Sequence, residues 1–249
     1  MVILKTLKQI DKIRKSCVLA AYVLSKIKHE TKAGVTPLYL NNLAESLCLE
    51  MGCCPGVKNY EGYPYTLCCS KNNVVVHGFP DEVPLKNGDI ISFDLGINCN
   101  GWWGDMAITV PIGKVSKETK KLISVTKDCL QMGMHLSLVG NRIGDISHII
   151  QTTCELNGMT VVKDFVGHGV GRDLHEPPQI PNFGTKGEGI KLKAGMVLAI
   201  EPIICNGSGE VTTLKDGWNV VTKDNSLAAH FENTILITSN GYEVLTSLD

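Results

Sequence analysis

No stretch of this 249-residue chain approaches the roughly 18 consecutive apolar residues of a membrane span, and the opening "MVILKTLKQIDK" has an apolar run of only three. A spanning helix and a cleavable secretory leader are therefore not expected, and a cytoplasmic location is the default. An excess of one charge is also missing: 24 Lys and Arg face 25 Asp and Glu, so nothing in the balance calls for a DNA or membrane partner. No C-x-x-C occurs among the ten cysteines, which include the adjacent pairs Cys53-Cys54 and Cys68-Cys69, so a structural zinc module is not expected. In a cytoplasmic chain all ten would be reduced thiols. A low-complexity linker is lacking too, and one domain over residues 1–249 is expected.

What the chain does have is an uneven start. Residues 1–32 carry eight basic side chains (Lys5, Lys8, Lys12, Arg14, Lys15, Lys26, Lys28 and Lys32) against Asp11 and Glu30, within a chain of net charge −1. A solvated helix face explains this most simply; docking on a polyanion such as the ribosome is the alternative. Leu4, Leu7, Ile10, Ile13, Cys17, Ala20, Leu24 and Ile27 recur at helical spacing and predict an amphipathic helix over about 4–29. Thr36-Pro37 is an N-cap and first-turn pair for a second helix ending near Met51, and 53–70 reads as loop. Strands are expected at "VVVHGF", "DIISFDLGI" and "WWGDMAITV", the last two joined by an Asn100-Gly101 turn. The plan then repeats: a helix opened by Ser116, another capped by Asp145, and strands at 159–166, 196–204, 230–238 and 242–245. Two helix-helix-strand halves imply an internally duplicated α+β layout.

Four acids sit where strands should be apolar: Asp94 in "IISFDLGI", Asp105 in "WWGDMAITV", Glu201 in "GMVLAIEPII" and Glu232 in "AAHFENTILI". A hairpin with an even-numbered loop puts Asp105 directly or diagonally across from Asp94 on one face. Carboxylates that close cannot all stay ionised unless a proton or cation compensates them, and these strands contain no Lys or Arg. A metal site with histidines completing it is the expectation.

The segment "DFVGHGVGRDLHEPPQIP" superficially resembles a strand and glycine turn that cradles a dinucleotide. Counting from Gly169, the third fingerprint glycine would be residue 174, which is Leu174, and Pro177, Pro178 and Pro181 forbid the helix that must follow. The glycines at 167, 169 and 171 instead let backbone approach a ligand closely and hold His168 at a strand end. His168, His175 and His77 all fall at predicted strand ends and are functional candidates; His29, His135 and His148 lie on or beside helices and read as structural.

Taken together, "VVVHGFP", "SFDLGINCNGWWGDMAITVPIG", "GHGVGRDLHEPPQIP", "LAIEPII" and "TLKDGWNVVTKDNSLAAHFENTILIT" resemble methionine aminopeptidase of type I, a pita-bread enzyme, over essentially the whole chain. Only thirty residues separate Glu201 from Glu232, which leaves no room for the helical insertion of the type II class. The resemblance implies a pita-bread fold with a central antiparallel sheet. It implies two divalent ions (Co, Mn, Fe or Zn), with Asp94 on one, His168 and Glu201 on the other, and Asp105 and Glu232 bridging. By the same resemblance Glu201 is the general base, His175 stabilises the carbonyl oxygen and His77 orients the peptide. Tyr60, Tyr63, Cys68, Leu174 and Trp218 would form the methionine pocket, and crowding beyond it would select a small second residue.

The chain departs from the family pattern at Leu174 (usually phenylalanine), Trp103 (often histidine), Met106 and Ala107 (often hydroxyl residues) and Ala228 (commonly serine). The implied substrate is the N-terminus of nascent polypeptides, acted on by a monomer. The alternatives are a proline-directed pita-bread peptidase of the aminopeptidase P or prolidase type, and a peptide-binding module without metal. About 70 residues before the first strand motif are too few for the extra N-terminal domain usual in the former.

Overall fold

A computed structural model describes residues 2–247; the outermost residues of the expected 1–249 domain lie outside that range. Helix α1 (Leu7–Glu30) buries Ile10, Ile13, Cys17, Ala20, Leu24 and Ile27 along one stripe and leaves Lys8, Lys12, Lys15, Lys26 and Lys28 exposed. It starts later than the apolar spacing suggested because Lys5 is drawn away: its N–H donates to the Gly195 carbonyl at 2.8 Å and its ammonium pairs with Glu176 in the interior. Helix α2 (Pro37–Glu50) follows, with the Thr36 hydroxyl accepting from the Tyr39 N–H at 3.2 Å.

Residues 53–70 are more than loop. They contain β1 (Cys54–Pro55), a 3₁₀ turn at Tyr60–Gly62 and β2 (Cys68–Lys71), and are followed by β3 (Val74–Val76). The hairpin expected next forms from β4 (Ile90–Cys99) and β5 (Trp102–Pro111), with Asn100 and Gly101 both at positive φ (55° and 77°). Strand β1 pairs with β4 in the register Cys54↔Asn98, which lays Cys53 beside Cys99, and these two form a disulfide. The expectation that all ten cysteines are free thiols is thus corrected: sequence distance conceals a pair that cross-strand register brings together. The other eight are free, and seven of them are buried.

Helix α3 (Lys117–His135) is capped by Ser116 as expected. Helix α4 (Ile143–Leu156) is not capped by Asp145 but by Arg142; Asp145 is three residues inside, its carboxylate accepting from the Arg142 N–H at 2.8 Å.

The second half then runs β6 (Thr160–Val161), β7 (Val166–Gly169), β8 (Glu176–Pro181), β9 (Val197–Ile200), β10 (Ile203–Cys205), β11 (Val211–Thr213), β12 (Val220–Thr222), β13 (Ala228–His230), β14 (Glu232–Thr238) and β15 (Gly241–Val244). Three strands expected to be continuous, 159–166, 196–204 and 230–238, are each broken in two. The reason is a change of sheet. Strands β9 and β14 belong to a nine-stranded sheet with the path β1-β4-β5-β14-β9-β7-β8, to which β2 adds on β4 and β15 on β14, whereas β10 and β13 pair with one another in a three-stranded sheet with β6. Both chains cross over at Glu201-Pro202 and Phe231, and Pro202 has no N–H to continue a ladder.

Helices α1 and α2 pack on the β4–β5 side of the large sheet around Phe93, Leu95 and Ile97; α3 and α4 pack on the β9–β14 side around Leu198, Ile200 and Ile235. This is the α+β pita-bread arrangement, with two helix-helix-strand halves sharing one curled antiparallel sheet. No helix among the described residues is long and apolar enough to cross a membrane.

Candidate metal centre and active site

Register alone lines up most of the candidate acids. Asp94 on β4 lies opposite Ala107 on β5, and Ala107 lies opposite Glu232 on β14, so the two acids flank a methyl group on one face. Asp105, two residues before Ala107, projects from that same face diagonally from Asp94. From the other side, His168 on β7 pairs with Ala199 on β9, and Glu201 leaves the end of β9 toward the same point. The His168 Nε2 lies 3.7 Å from Asp105 Oδ2 and 3.4 Å from Glu201 Oε1.

These groups are charged or chargeable, buried or half-buried, and short of partners. Asp105, His168 and Glu232 are each less than 9% exposed, and Asp105 Oδ1 and Glu232 Oε1 accept no hydrogen bond. Burial pushes the Asp94 carboxyl up to about 7. Burial, reinforced by Asp94 and the neighbouring acids, holds Asp105, Glu201 and Glu232 well above the usual carboxylate range. No lysine or arginine reaches the cluster; its ion-pair partners among the described residues are histidines.

A divalent cation fits this donor set. Asp105, His168 and Glu232 each bring one ligand atom within 4.8 Å of the others. His168 is set up as a ligand: its Nδ1–H donates to the Gly169 carbonyl at 3.0 Å, which leaves the Nε2 lone pair facing the acids. Burial lowers its pKa to about 3, so the imidazole is neutral at physiological pH. It lies within β7 rather than at a strand end. The adjacent glycines also serve a different purpose from the one expected. A Cβ at Gly167 or Gly169 would overlap the carbonyls of Ala199 and Pro177 on neighbouring strands, and one at Gly171 would overlap the Glu176 carboxylate. They let protein backbone, not ligand, come close.

His175 and His77 stand at the rim. The His175 ring centroid is 4.4 Å from that of His168, and its Nδ1 is 3.2 Å from the Tyr60 hydroxyl. His77 follows β3 at φ 57°, a left-handed conformation uncommon for a non-glycine residue, with its ring edge-on to Phe165 at 5.4 Å. Of the remaining histidines, His29, His135 and His148 are exposed on helices. The seventh, His230, went unremarked in the sequence, yet it is buried at the end of β13 and lines the same 220 Å³ cavity as Asp94, Asp105, His168, Glu201 and Glu232. Its one signal was position, two residues before an acid in an apolar run.

Next to the acids a second cavity of 110 Å³ is lined by all five residues expected to form a methionine pocket: Tyr60, Tyr63, Cys68, Leu174 and Trp218. His77, His175, Asp94 and Asp105 also line it, as do Val57 and Glu61, which sequence reasoning had not singled out. Cys68 is there because β2 pairs Cys68 with Asp94, which ties pocket to acids. Tyr63 is buried, donates its hydroxyl hydrogen to the Gly78 carbonyl at 2.8 Å and meets the Trp218 ring edge-on at 5.2 Å.

A curled antiparallel sheet with four carboxylates and an imidazole on one face, unneutralised by any cationic side chain, defines a pita-bread metallohydrolase. The chain belongs to metallopeptidase family M24, whose profile matches residues 11–239. It is 47% identical to a methionine aminopeptidase of Clostridium perfringens, over 99% of both chains. The crystal structure of a methionine aminopeptidase from Thermotoga maritima superposes with a TM-score of 0.98 at 43% identity, covering 99% of this chain and 100% of that one. A prolidase from Pyrococcus furiosus shares the fold, with a TM-score of 0.77, but is 21% identical and this chain covers 66% of it.

Proposed function

We propose that this chain removes the initiator methionine from the N-termini of nascent proteins by metal-dependent hydrolysis of the first peptide bond. The observation that carries the proposal is the junction of two cavities: a largely apolar, thiol- and aromatic-lined pocket of 110 Å³ adjoins a face of four carboxylates, of which Asp105 and Glu232 are buried and Asp94 and Glu201 half-buried. Proline-directed cleavage and metal-free peptide binding are not favoured, because identity to methionine aminopeptidases extends over the full length.

Asp94, Asp105, His168, Glu201 and Glu232 would together hold two divalent ions. When bound, such ions lower the pKa of water, anchor a free α-amine and polarise a peptide carbonyl; Co, Mn, Fe and Zn all suit these donors. The Glu201 carboxylate takes the proton of the attacking water and returns one to the leaving amine. Burial depresses the His175 pKa, so its ring is neutral. In the tautomer in which the Tyr60 hydroxyl donates to Nδ1, the His175 proton sits on Nε2 and is available to the carbonyl oxygen as negative charge develops there. His77 and Phe165, packed edge to face beside the acids, contact the peptide just past the scissile bond and leave room for a small second residue.

The protein acts as a cytoplasmic monomer, one catalytic domain spanning the chain. Contact with the ribosome would use Lys8, Lys12, Lys15, Lys26, Lys28 and Lys32, all exposed; Lys5 is buried and Arg14 is engaged with Glu243. Salt-dependent co-sedimentation with ribosomes tests that contact.

The test of activity is release of methionine from Met-Ala-Ser, set against X-Pro peptides, with and without Mn or Co. Methionine release that needs metal, and that is abolished in Glu201→Ala and His168→Ala while circular dichroism stays native, is the expected result. Turnover of X-Pro peptides alone would overturn the assignment.

A further inference from the structure

The cluster contains one polar group that neither the ligand set nor the catalytic assignments use. His230 is 2% exposed, and its Nε2 has no hydrogen-bond partner. A buried imidazole nitrogen left unpaired loses its hydration without compensation, and structural histidines ordinarily avoid this by bonding a carbonyl or hydroxyl. The His230 backbone is fixed on both polar groups. Its N–H donates to Thr109 Oγ1 at 2.9 Å, the Thr109 hydroxyl donates to its carbonyl at 2.8 Å, and Ser92 Oγ lies 2.8 Å from Thr109 Oγ1. From there its side chain lines the cavity of the acids.

What it faces there is specific. The two oxygens of Glu201 face different imidazoles: Oε1 lies 3.4 Å from His168 Nε2, and Oε2 lies 3.7 Å from His230 Nε2. The latter separation is a few tenths of an ångström beyond a hydrogen bond, within reach of the broad terminal torsion of a glutamate. We propose that His230 is a positioning residue for Glu201, donating from Nε2 to Oε2 so that Oε1 stays turned toward His168 and the metal they hold in common. The proposal rests on the metal assignment made above. Groups that orient ligating carboxylates in this way typically account for 10–100-fold in metal affinity. The same bond fixes which Glu201 oxygen is left to receive the water's proton.

The experiment is calorimetric titration of the metal-free full chain with Co²⁺, together with the visible absorption of the cobalt form, for wild type, His230→Ala and His230→Gln. Glutamine keeps an N–H donor at similar reach. His230→Ala is expected to bind the ion 10–100-fold more weakly and to show a shifted cobalt band, with His230→Gln recovering affinity to within about threefold of wild type and restoring the band. Unchanged affinity and spectrum in His230→Ala would overturn the proposal. So would a His230→Gln protein as weak as His230→Ala with native circular dichroism, since that result makes His230 a matter of packing. Failure of the wild type to bind Co²⁺ would overturn the metallopeptidase assignment itself, a different outcome from tight wild-type binding with indifferent variants.

Discussion

Leu174 and Trp103, standing where the resemblance implies phenylalanine and histidine, both come over the same glycine. Leu174 Cδ1 and the edge of the Trp103 ring lie 3.4 and 3.5 Å from where a Cβ on Gly96 would be. Both belong to one buried cluster with Val170 and Val197, against which Val57 and Tyr60 pack. The two side chains therefore share one wall, and Trp103 also meets the Tyr60 ring edge-on at 5.6 Å, beside the hydroxyl that lies 3.2 Å from His175 Nδ1. Leu174→Phe alone should overpack this wall and cost about 1–3 kcal/mol, whereas Leu174→Phe with Trp103→His should recover part of that loss. A double-mutant cycle by urea unfolding reads the coupling; additive effects would show that the two positions are independent. At this scale the sequence was legible wherever chemistry betrays a residue. Four acids in apolar strands and two histidines among glycines are conspicuous, but His230 is not, because only the change of sheet at Phe231 turns it inward.

Among the elements, the helices and the β4–β5 hairpin were legible because their signals are local: apolar spacing, caps, an Asn-Gly turn. The broken strands and the Cys53–Cys99 bond were not, since both depend on which strand pairs with which. The segment before α1 shows the same limit. Lys5 counted as one of a basic cluster, yet it is a buried strut whose ammonium pairs with Glu176, the residue after His175. Glu176 Oε1 also accepts from the Arg172 N–H at 2.7 Å, so the pair ties the N-terminal segment to the loop carrying Leu174 and His175. Lys5→Met keeps the aliphatic stem and strands a buried carboxylate, and is expected to cost about 3 kcal/mol; Glu176→Gln in the same chain should return most of it. Denaturant unfolding measures both. A Lys5→Met protein within about 0.5 kcal/mol of wild type would mean that water or backbone N–H groups already satisfy Glu176.

For the whole molecule, the acids that make the site also make the metal-free fold depend on pH, with two opposing contributions. His168 and His230 have folded pKa values lowered to about 3, below the ordinary value near 6.5; between those limits the unfolded chain binds more protons, so stability rises with pH and then levels off. Asp94, raised to about 7, and Asp105, Glu201 and Glu232, each held by burial well above the ordinary carboxylate range, act in the reverse sense. The folded chain binds the extra protons, and stability falls as pH climbs from the ordinary carboxylate range through the folded values. Above about pH 6.5 the histidine contribution is spent and only the fall remains. Each carboxylate still titrating contributes up to about 1.4 kcal/mol per pH unit, and in a chain of this size each kcal/mol is worth roughly 2–4 °C. Metal-free protein should therefore lose Tm between pH 6.5 and 8.5, the Asp94 carboxyl alone accounting for about 1 kcal/mol or roughly 2–4 °C. Saturating Mn²⁺ should abolish the loss, because the cation holds the carboxylates ionised and releases their protons on binding. Scanning calorimetry at constant ionic strength with EDTA and with Mn²⁺ decides it. Parallel curves would mean that the four acids are compensated by something other than a metal, and the site would have to be explained without one.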